Sequence, residues 1–177
     1  ATPPLGYSVV PTALQRFLAK RSGIKVFFDV RRFENVIDAV DSGAAELGFV
    51  LGLGEHPELK SEVFFAENMV CVMKPEHRLA EKAVVRPADL RGYSLIAPER
   101  DTKMGALLRA AFEEAGEAFE CSVEVRYCNT ACVLAEAGVG VAIVDPLSPL
   151  LAGRFKLTTR PFEPASKVAA SAVRSVK

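Results

Sequence analysis

Neither sign of charge is in excess: lysine plus arginine and aspartate plus glutamate each number 22 in the 177-residue chain. A balanced chain has no overall field to draw it to a nucleic-acid backbone or an anionic membrane, so this stretch is not expected to grip DNA by itself. Long apolar runs are missing too. None nears the roughly 20 residues of a membrane span, although 50% hydrophobic content is ample for a core. The opening ATPPLGYSVVP lacks the basic and apolar regions of a secretory signal, which points to a cytoplasmic setting. Paired cysteines are absent: Cys71, Cys121, Cys128 and Cys132 form no CxxC and stand in no ligand-like spacing to a histidine. Cys128 and Cys132 can share a helix face as a redox pair or soft-metal site, but small apolar fillers are the preferred reading. His56 and His77 fall in expected loops.

Catalytic signatures are lacking as well. There is no GxSxG, no HExxH, no Walker loop and no framed pair of carboxylates. The GLG of Gly52 to Gly54 follows a strand but does not continue as GxGxxG into a helix. An enzyme is therefore not expected, and neither a cofactor nor a metal is called for.

One further absence is local. In PERDTKMGALLRAAFEEAG, Met104, Leu107, Leu108, Ala111, Phe112 and Ala115 recur at helical spacing, so the spacing predicts an amphipathic helix from about Lys103 to Ala115, stopped by Gly116. A helix start carries unpaired N–H donors and partial positive charge, and its first turn usually collects an acid. Here it holds Thr102, Lys103 and Met104, with no capping-box acid. A start left open this way, with the Thr102 hydroxyl and the Lys103 ammonium beside it, suits an anion brought by a ligand. A solvated surface lysine is the plainer alternative.

What is present is one pattern written twice. SVVPTALQRFLAKRSG reads as a helix with Pro11 in its first turn, Leu14, Phe17 and Leu18 on its apolar face and Gly23 as its stop. IKVFFDV then reads as a strand, FENVIDAVDSG as a short helix with Val36, Ile37 and Val40 inward, and LGFVLG as a second strand. The second half repeats this with the helix above, the strand CSVEVRY, the helix NTACVLAEAG capped by Asn129 or Thr130, and the buried strand VGVAIVDP. Alternating strands and helices imply parallel sheets and two similar α/β lobes. The middle segment, with strand-like pieces at 63–66 and 69–73, is expected to cross between lobes, and FKLTTRPFEP to carry the chain back. Two crossings make a hinge, with a ligand cleft expected between the lobes. ATPP is short for the strand expected before the first helix, and SAVRSVK ends as a strand, so both ends read as truncated.

With that architecture, the sequence resembles the effector-binding domain of LysR-type transcriptional regulators over nearly its whole length. The resemblance is carried by VIDAVDSGAAELGFVLG, by VCVMKPEHRLAEKAVVRPADLRGYSLIAPE and by VLAEAGVGVAIVDP. It implies an α/β fold of two Rossmann-like lobes joined by crossover strands at a hinge, like a type 2 periplasmic binding protein. Expected boundaries are 1–55 for the first lobe, 56–160 for the second with its crossover strands, and 161–177 for the return, without the C-terminal helix. The phrases VCVMKPEHRLA, ERDTKMGALLRAAF and AGVGVAIVDPLSP look closest to the branch that senses basic amino acids and opines. The function implied is binding of a small carboxylate-bearing effector to control transcription. DNA would be reached only through an N-terminal winged helix-turn-helix that is not in this sequence.

Carried onto this sequence, the effector contacts are Thr2, Pro3, Pro4 and Leu5, then Leu51 and Gly52, then Asp101, Thr102 and Lys103, then Asn129 and Thr130. Asn129 and Thr130 would equally suit a helix start of no special function. Arg31 and Arg32 read as a solvated pair rather than as ligands. A homodimer or homotetramer is implied, with FENVIDAVDSG as an exposed edge in the contact and no membrane partner. The rival reading is an extracytoplasmic solute-binding protein of a transporter, which shares the fold.

Overall fold

The computed structural model describes residues 1–52, 58–152, 156–164 and 166–176; His56 and most of the GLG stretch lie outside them. The chain divides into two compact units, Ala1–Ala66 with Ala169–Lys177, and Glu67–Val168.

In the first unit, α1 (Pro3–Tyr7), α2 (Val9–Ala19) and α3 (Phe33–Asp41) accompany a sheet of β1 (Gly48–Leu51), β8 (Lys167–Ser175) and β2 (Leu59–Asn68), in the order β1-β8-β2. The stripe read from FENVIDAVD is buried as expected: Val36, Ile37 and Val40 of α3 pack with Val50, Leu59 and Val173. Gly48 is required where α3 crosses β1, since a Cβ there would come within 2.7 Å of Val173 and 2.9 Å of Val36. Antiparallel pairing sets Phe49 opposite Ala172 and Leu51 opposite Ala170.

Several expectations for this unit are corrected. ATPP passes at Pro3 directly into helix α1 rather than ending a strand. IKVFFDV forms no strand, and Ile24, Val26, Phe27 and Phe28 are exposed, Phe27 at 87%. Among the described residues, backbone bonds tie it at its C-terminal end, where Ala1 N donates to Asp29 O and, just beyond it, Arg31 N donates to Ala1 O. Apolar β-branched and aromatic residues make a strand only where a ladder partner runs alongside. The apolar face of α2 is likewise uncovered, with Phe17 and Leu18 exposed and Val10 its buried residue. In α3, Val36, Ile37 and Val40 fill the core of this unit, while Glu34, Asn35 and Asp38 stay exposed on its other face.

The second unit contains β3 (Val70–Met73), β4 (Leu95–Pro98), β5 (Val123–Val125), β6 (Val141–Val144) and β7 (Thr158–Pro161), ordered β5-β4-β6-β3-β7. It also holds α4 (Lys103–Glu114) and α5 (Cys128–Glu136). β4 is parallel to β5 and β6, whereas β3 is antiparallel to β6 and β7. The expected all-parallel sheets are thus mixed. The parallel strands are those linked through α4 and α5; among the described residues no α-helix stands directly before β3 or β7, and an antiparallel neighbour needs none. FKLTTRPFEP supplies β7 of this unit, and the return to the first unit is made by β8.

β4 and β6 are buried along their whole length. Met104, Leu108, Ala111 and Phe112 of α4, and Ala131, Cys132 and Ala135 of α5, are buried with them. Gly116 and Gly138, at φ +67° and +85°, take the left-handed conformation that ends each helix. His77, expected in a loop, caps the 3-10 helix Arg78–Glu81: its Nδ1 accepts from Leu79 N at 3.2 Å, and its ring lies on Tyr93.

Candidate functional site

Residues expected to touch a ligand fall into one group on each unit. On the first, Thr2 is the N-cap of α1 in extended conformation, and its N–H donates to Phe49 O at 2.9 Å while its carbonyl accepts from Gly6 N at 2.8 Å. Pro3, at the first helical position, needs no N–H partner there. Thr2 is buried and Leu5 completely so; Pro3 and Pro4 are half-buried. Leu51 closes β1 as a buried residue, and Gly52 turns away at φ +79° with its N–H on Ala169 O at 2.7 Å.

The group on the second unit is assembled by the sheet. β4 and β5 run parallel in a register that sets Pro98 beside Val125, and Glu99 N donates to Val125 O at 2.8 Å. The turn 99–102 leading into α4 and the turn 126–127 leading into α5 therefore lie side by side at the carboxyl ends of parallel strands, the usual place for a ligand in an α/β sheet. That brings Asp101, Thr102 and Lys103 to the same end of the sheet as Asn129 and Thr130.

Thr102 is the N-cap of α4: its Oγ1 accepts from Gly105 N at 3.0 Å and donates to Glu99 O at 2.6 Å. The hydroxyl proton is thus committed inside the turn, so the donors left at this helix start are the N–H groups of Lys103 and Met104, which have no carbonyl four residues back within the helix. The first turn of α4 contains no acid, as the sequence indicated. Acids stand just ahead of it: Glu99 and Asp101 both pair with Arg126, the latter at 3.2 Å. Arg126 was not singled out from the sequence, which places it inside the strand CSVEVRY; the structure sets it directly after β5.

At α5 the expected cap is corrected. Tyr127 is the N-cap and makes no side-chain cap bond, while Cys128 opens the helix and Asn129 and Thr130 sit inside its first turn. Thr130 is exposed, and its N–H returns to Tyr127 O at 3.0 Å. The Oδ1 of Asn129 is buried without a hydrogen-bond partner. A buried polar atom left unpaired costs about 1–3 kcal/mol, so this acceptor stands out in the turn that the sequence had reserved for a cap.

The remaining candidates have plainer placements. Arg31 bonds Asp29 and Arg32 lies 3.7 Å from Glu34, all exposed, which is the solvated reading. The cysteines are free thiols, and Cys71, Cys128 and Cys132 are buried. Burial pushes the thiols of Cys71 and Cys132 up to about 12, and that of Cys128 well above its ordinary value. A thiol that stays protonated is a poor nucleophile and metal ligand, so these behave as fillers. Among the described residues, no cluster of His, Cys, Asp or Glu is arranged to hold a metal ion. No helix among them is long and apolar enough to cross a membrane.

A family model for the LysR substrate binding domain matches residues 1–175. The regulatory protein NocR of Agrobacterium tumefaciens (strain T37) is 29% identical over 157 residues, covering 89% of this chain and 52% of NocR. The octopine catabolism/uptake operon regulatory protein OccR of Rhizobium meliloti is 29% identical over 172 residues, covering 92% of this chain and 53% of OccR. The chain therefore spans about half the length of these curated relatives. Among solved structures, the BenM effector binding domain with its effector benzoate superposes with a TM-score of 0.81 at 17% identity, over 99% of this chain and 81% of that one.

Proposed function

Because the chain belongs to the LysR substrate-binding domain family, with its type 2 periplasmic-binding-protein-like fold, we propose that it is the effector-sensing part of a transcriptional regulator whose effector is a small carboxylate carrying its own N–H or O–H donor. The observation that carries the ligand chemistry is the unpaired, buried Oδ1 of Asn129. An acceptor in that position calls for a donor, which a simple carboxylate lacks and an amino acid or opine has. The open start of α4 takes the other end of such a molecule: the N–H groups of Lys103 and Met104 and the Lys103 ammonium suit a carboxylate. Thr102 and Asp101 hold that turn in shape, and Thr130 borders it from α5. On the first unit, Thr2, Pro3, Pro4, Leu5, Leu51 and Gly52 are the candidate contacts. OccR, named for octopine, and the BenM domain with benzoate support a carboxylate.

No step of this function makes or breaks a bond. An effector shifts the protein only as far as it binds one conformation better than another. Promoter contact belongs to a DNA-binding segment outside this chain, in a cytoplasmic homodimer or homotetramer. The regulator names of the relatives favour this reading over the transporter-receptor alternative.

Calorimetry with octopine, arginine, other amino acids, benzoate and simple organic acids tests it. Compounds with both a carboxylate and an amine should bind; Asn129→Ala should weaken the best of them about tenfold, the worth of a hydrogen bond to a charged group, and Thr102→Ala should weaken it several-fold by removing the cap that holds the α4 start in shape. Lys103→Ala should cost less, since its ammonium stays hydrated. An uncharged best ligand, or unchanged affinity in Asn129→Ala and Thr102→Ala, would overturn the reading.

A further inference from the structure

Arg109 stands in the second turn of α4, and its side chain runs back toward the start of the helix, as long helical side chains do. Its Nη1 donates to Gly105 O in the first turn and to Pro98 O at the end of β4, both at 3.1 Å. Its Nη2 donates to the Glu124 carboxylate on β5, and the guanidinium carbon sits 4.3 Å from the centre of the Phe119 ring, in the segment after α4. Phe112 of α4 meets that ring edge to face, with centres 5.1 Å apart. Four segments of the chain thus converge on one planar group, whose side chain is only 18% exposed.

Forming α4 asks for none of this, since the helix ladder serves a first-turn carbonyl without any side chain. The bond that stands apart goes to Pro98 O, which precedes the cap and belongs to the strand. It closes the turn 99–102 from outside, as the bonds of Thr102 close it from within. The same carbonyl oxygen lies 2.8 Å from where a Cβ on Gly105 would stand, so strand end and helix start touch where Arg109 joins them. A lysine offers its donors from a single point, whereas the fork of a guanidinium holds Pro98 O, Gly105 O and Glu124 at once.

We propose that Arg109 is a positioning residue for the effector: by tying the last carbonyl of β4 to the first turn of α4, it sets the turn 99–102 and with it the direction of the Lys103 and Met104 N–H groups. The part that concerns the effector rests on the reading of the α4 start given above; the tie itself does not. Donors already aimed need no ordering when a carboxylate arrives, so loss of the tie weakens binding although Arg109 does not meet the ligand.

Hydrogen exchange without effector reads the tie at the amides of Gly105 and Ala106, which bond Thr102. In Arg109→Gln these should exchange roughly fivefold faster, the effect of one hydrogen bond, while the amides of the last turn of α4 stay close to the parent. A merely structural loss would speed the whole helix alike. Calorimetry with octopine, at a temperature where every variant is folded, should show affinity lowered roughly fivefold as well. Arg109→Lys, which keeps the charge without the fork, should stay nearer to Arg109→Gln than to the parent in both measurements. Arg91→Gln, which breaks the pair with Glu117 beyond the other end of α4, should leave both at parent values. The proposal is overturned if first-turn exchange in Arg109→Gln rises no more than that of the last turn, or if octopine affinity is unchanged. It is equally overturned if Arg109→Lys restores affinity while the first turn still exchanges fast, because charge and not geometry would then be responsible. Should Arg109→Gln fail to fold, Glu124→Gln, which frees the guanidinium from β5, should give the same pattern at smaller size, and parent-like exchange of Gly105 there sinks the proposal. If octopine does not bind even the parent, the effector reading fails while exchange still decides whether Arg109 sets the turn.

Discussion

Gly105→Ala sets two effects of opposite sign against each other at the start of α4. In an ordinary helix the change stabilises by about 1 kcal/mol, because glycine loses more backbone freedom on folding. Here the added Cβ would stand 1.9 Å from the Glu99 carbonyl oxygen, 2.6 Å from its carbon and 2.8 Å from Pro98 O. A relaxed carbon–oxygen contact is about 3.3 Å, so the turn must open by roughly 1.4 Å. All three atoms are backbone and cannot rotate away. Overpacking of this kind costs about 1–3 kcal/mol, and the displacement also pulls Glu99 O from the Thr102 hydroxyl and N–H that it binds at 2.6 and 3.0 Å, adding about 1 kcal/mol for the damaged cap. Clash therefore outweighs propensity, with a net loss of about 1–3 kcal/mol. In urea, at about 2 kcal/mol per molar, that moves the midpoint down by roughly 1 M. Gly116→Ala is the comparison: nothing lies within 4 Å of its Cβ, but φ is +67°, so it should lose about 1–2 kcal/mol to backbone strain alone and leave effector binding unchanged. Gly105→Ala should lose both stability and binding. A midpoint unchanged or raised in Gly105→Ala would refute the packing described for this turn.

Further predictions concern charge, titration and thiols. Removing Arg126 leaves Glu99 and Asp101 uncompensated beside the α4 start, so Arg126→Ala should weaken octopine binding several-fold while lowering stability by no more than about 1 kcal/mol, the ceiling for partly exposed pairs; equal octopine affinity in calorimetry would contradict this. Burial lowers the pKa of His77 below its ordinary 6.5, so the neutral ring is favoured in the folded state. The stability it contributes is fully present above pH 6.5 and is lost as pH falls through the lower folded value; His77→Asn, which keeps an acceptor for Leu79 N, should flatten that part of a melting-temperature profile. In the native protein at pH 8, a maleimide should label Cys121 first and slowly, and the buried Cys71, Cys128 and Cys132 only on unfolding; rapid native labelling of any buried cysteine, read by mass spectrometry, would count against their environments. A promoter probe should not be shifted by this chain in a steeply salt-dependent way, given its zero formal net charge.

Much of the second unit was legible because its signals are local. Apolar spacing along Met104, Leu108 and Phe112 gave α4, the left-handed glycines gave the ends of α4 and α5, and the unbroken apolar run gave β6. The family resemblance rested on the same kind of short, ordered blocks. The missing acid at the start of α4 was also plain in the sequence, and the fold places that start beside the start of α5.

Pairing and cover were not legible, since both depend on what the rest of the chain brings alongside. IKVFF has strand composition yet forms no ladder, and the stripe of α2 states which side wants cover without supplying any. Asn129 fits a cap by residue type, but the helix begins one residue earlier and leaves it inside the first turn with an unanswered acceptor. Arg126 meeting Glu99 and Asp101 joins residues far apart in sequence that only strand order makes neighbours. By itself the sequence determined helices α2 to α5 and which helix start lacks an acid, because those follow from spacing and side-chain chemistry within a turn or two. Tertiary structure alone decided which turns share an end of the sheet and which buried polar atoms stay unpaired, because a hydrogen bond between distant residues exists only once the backbone between them has been folded into place.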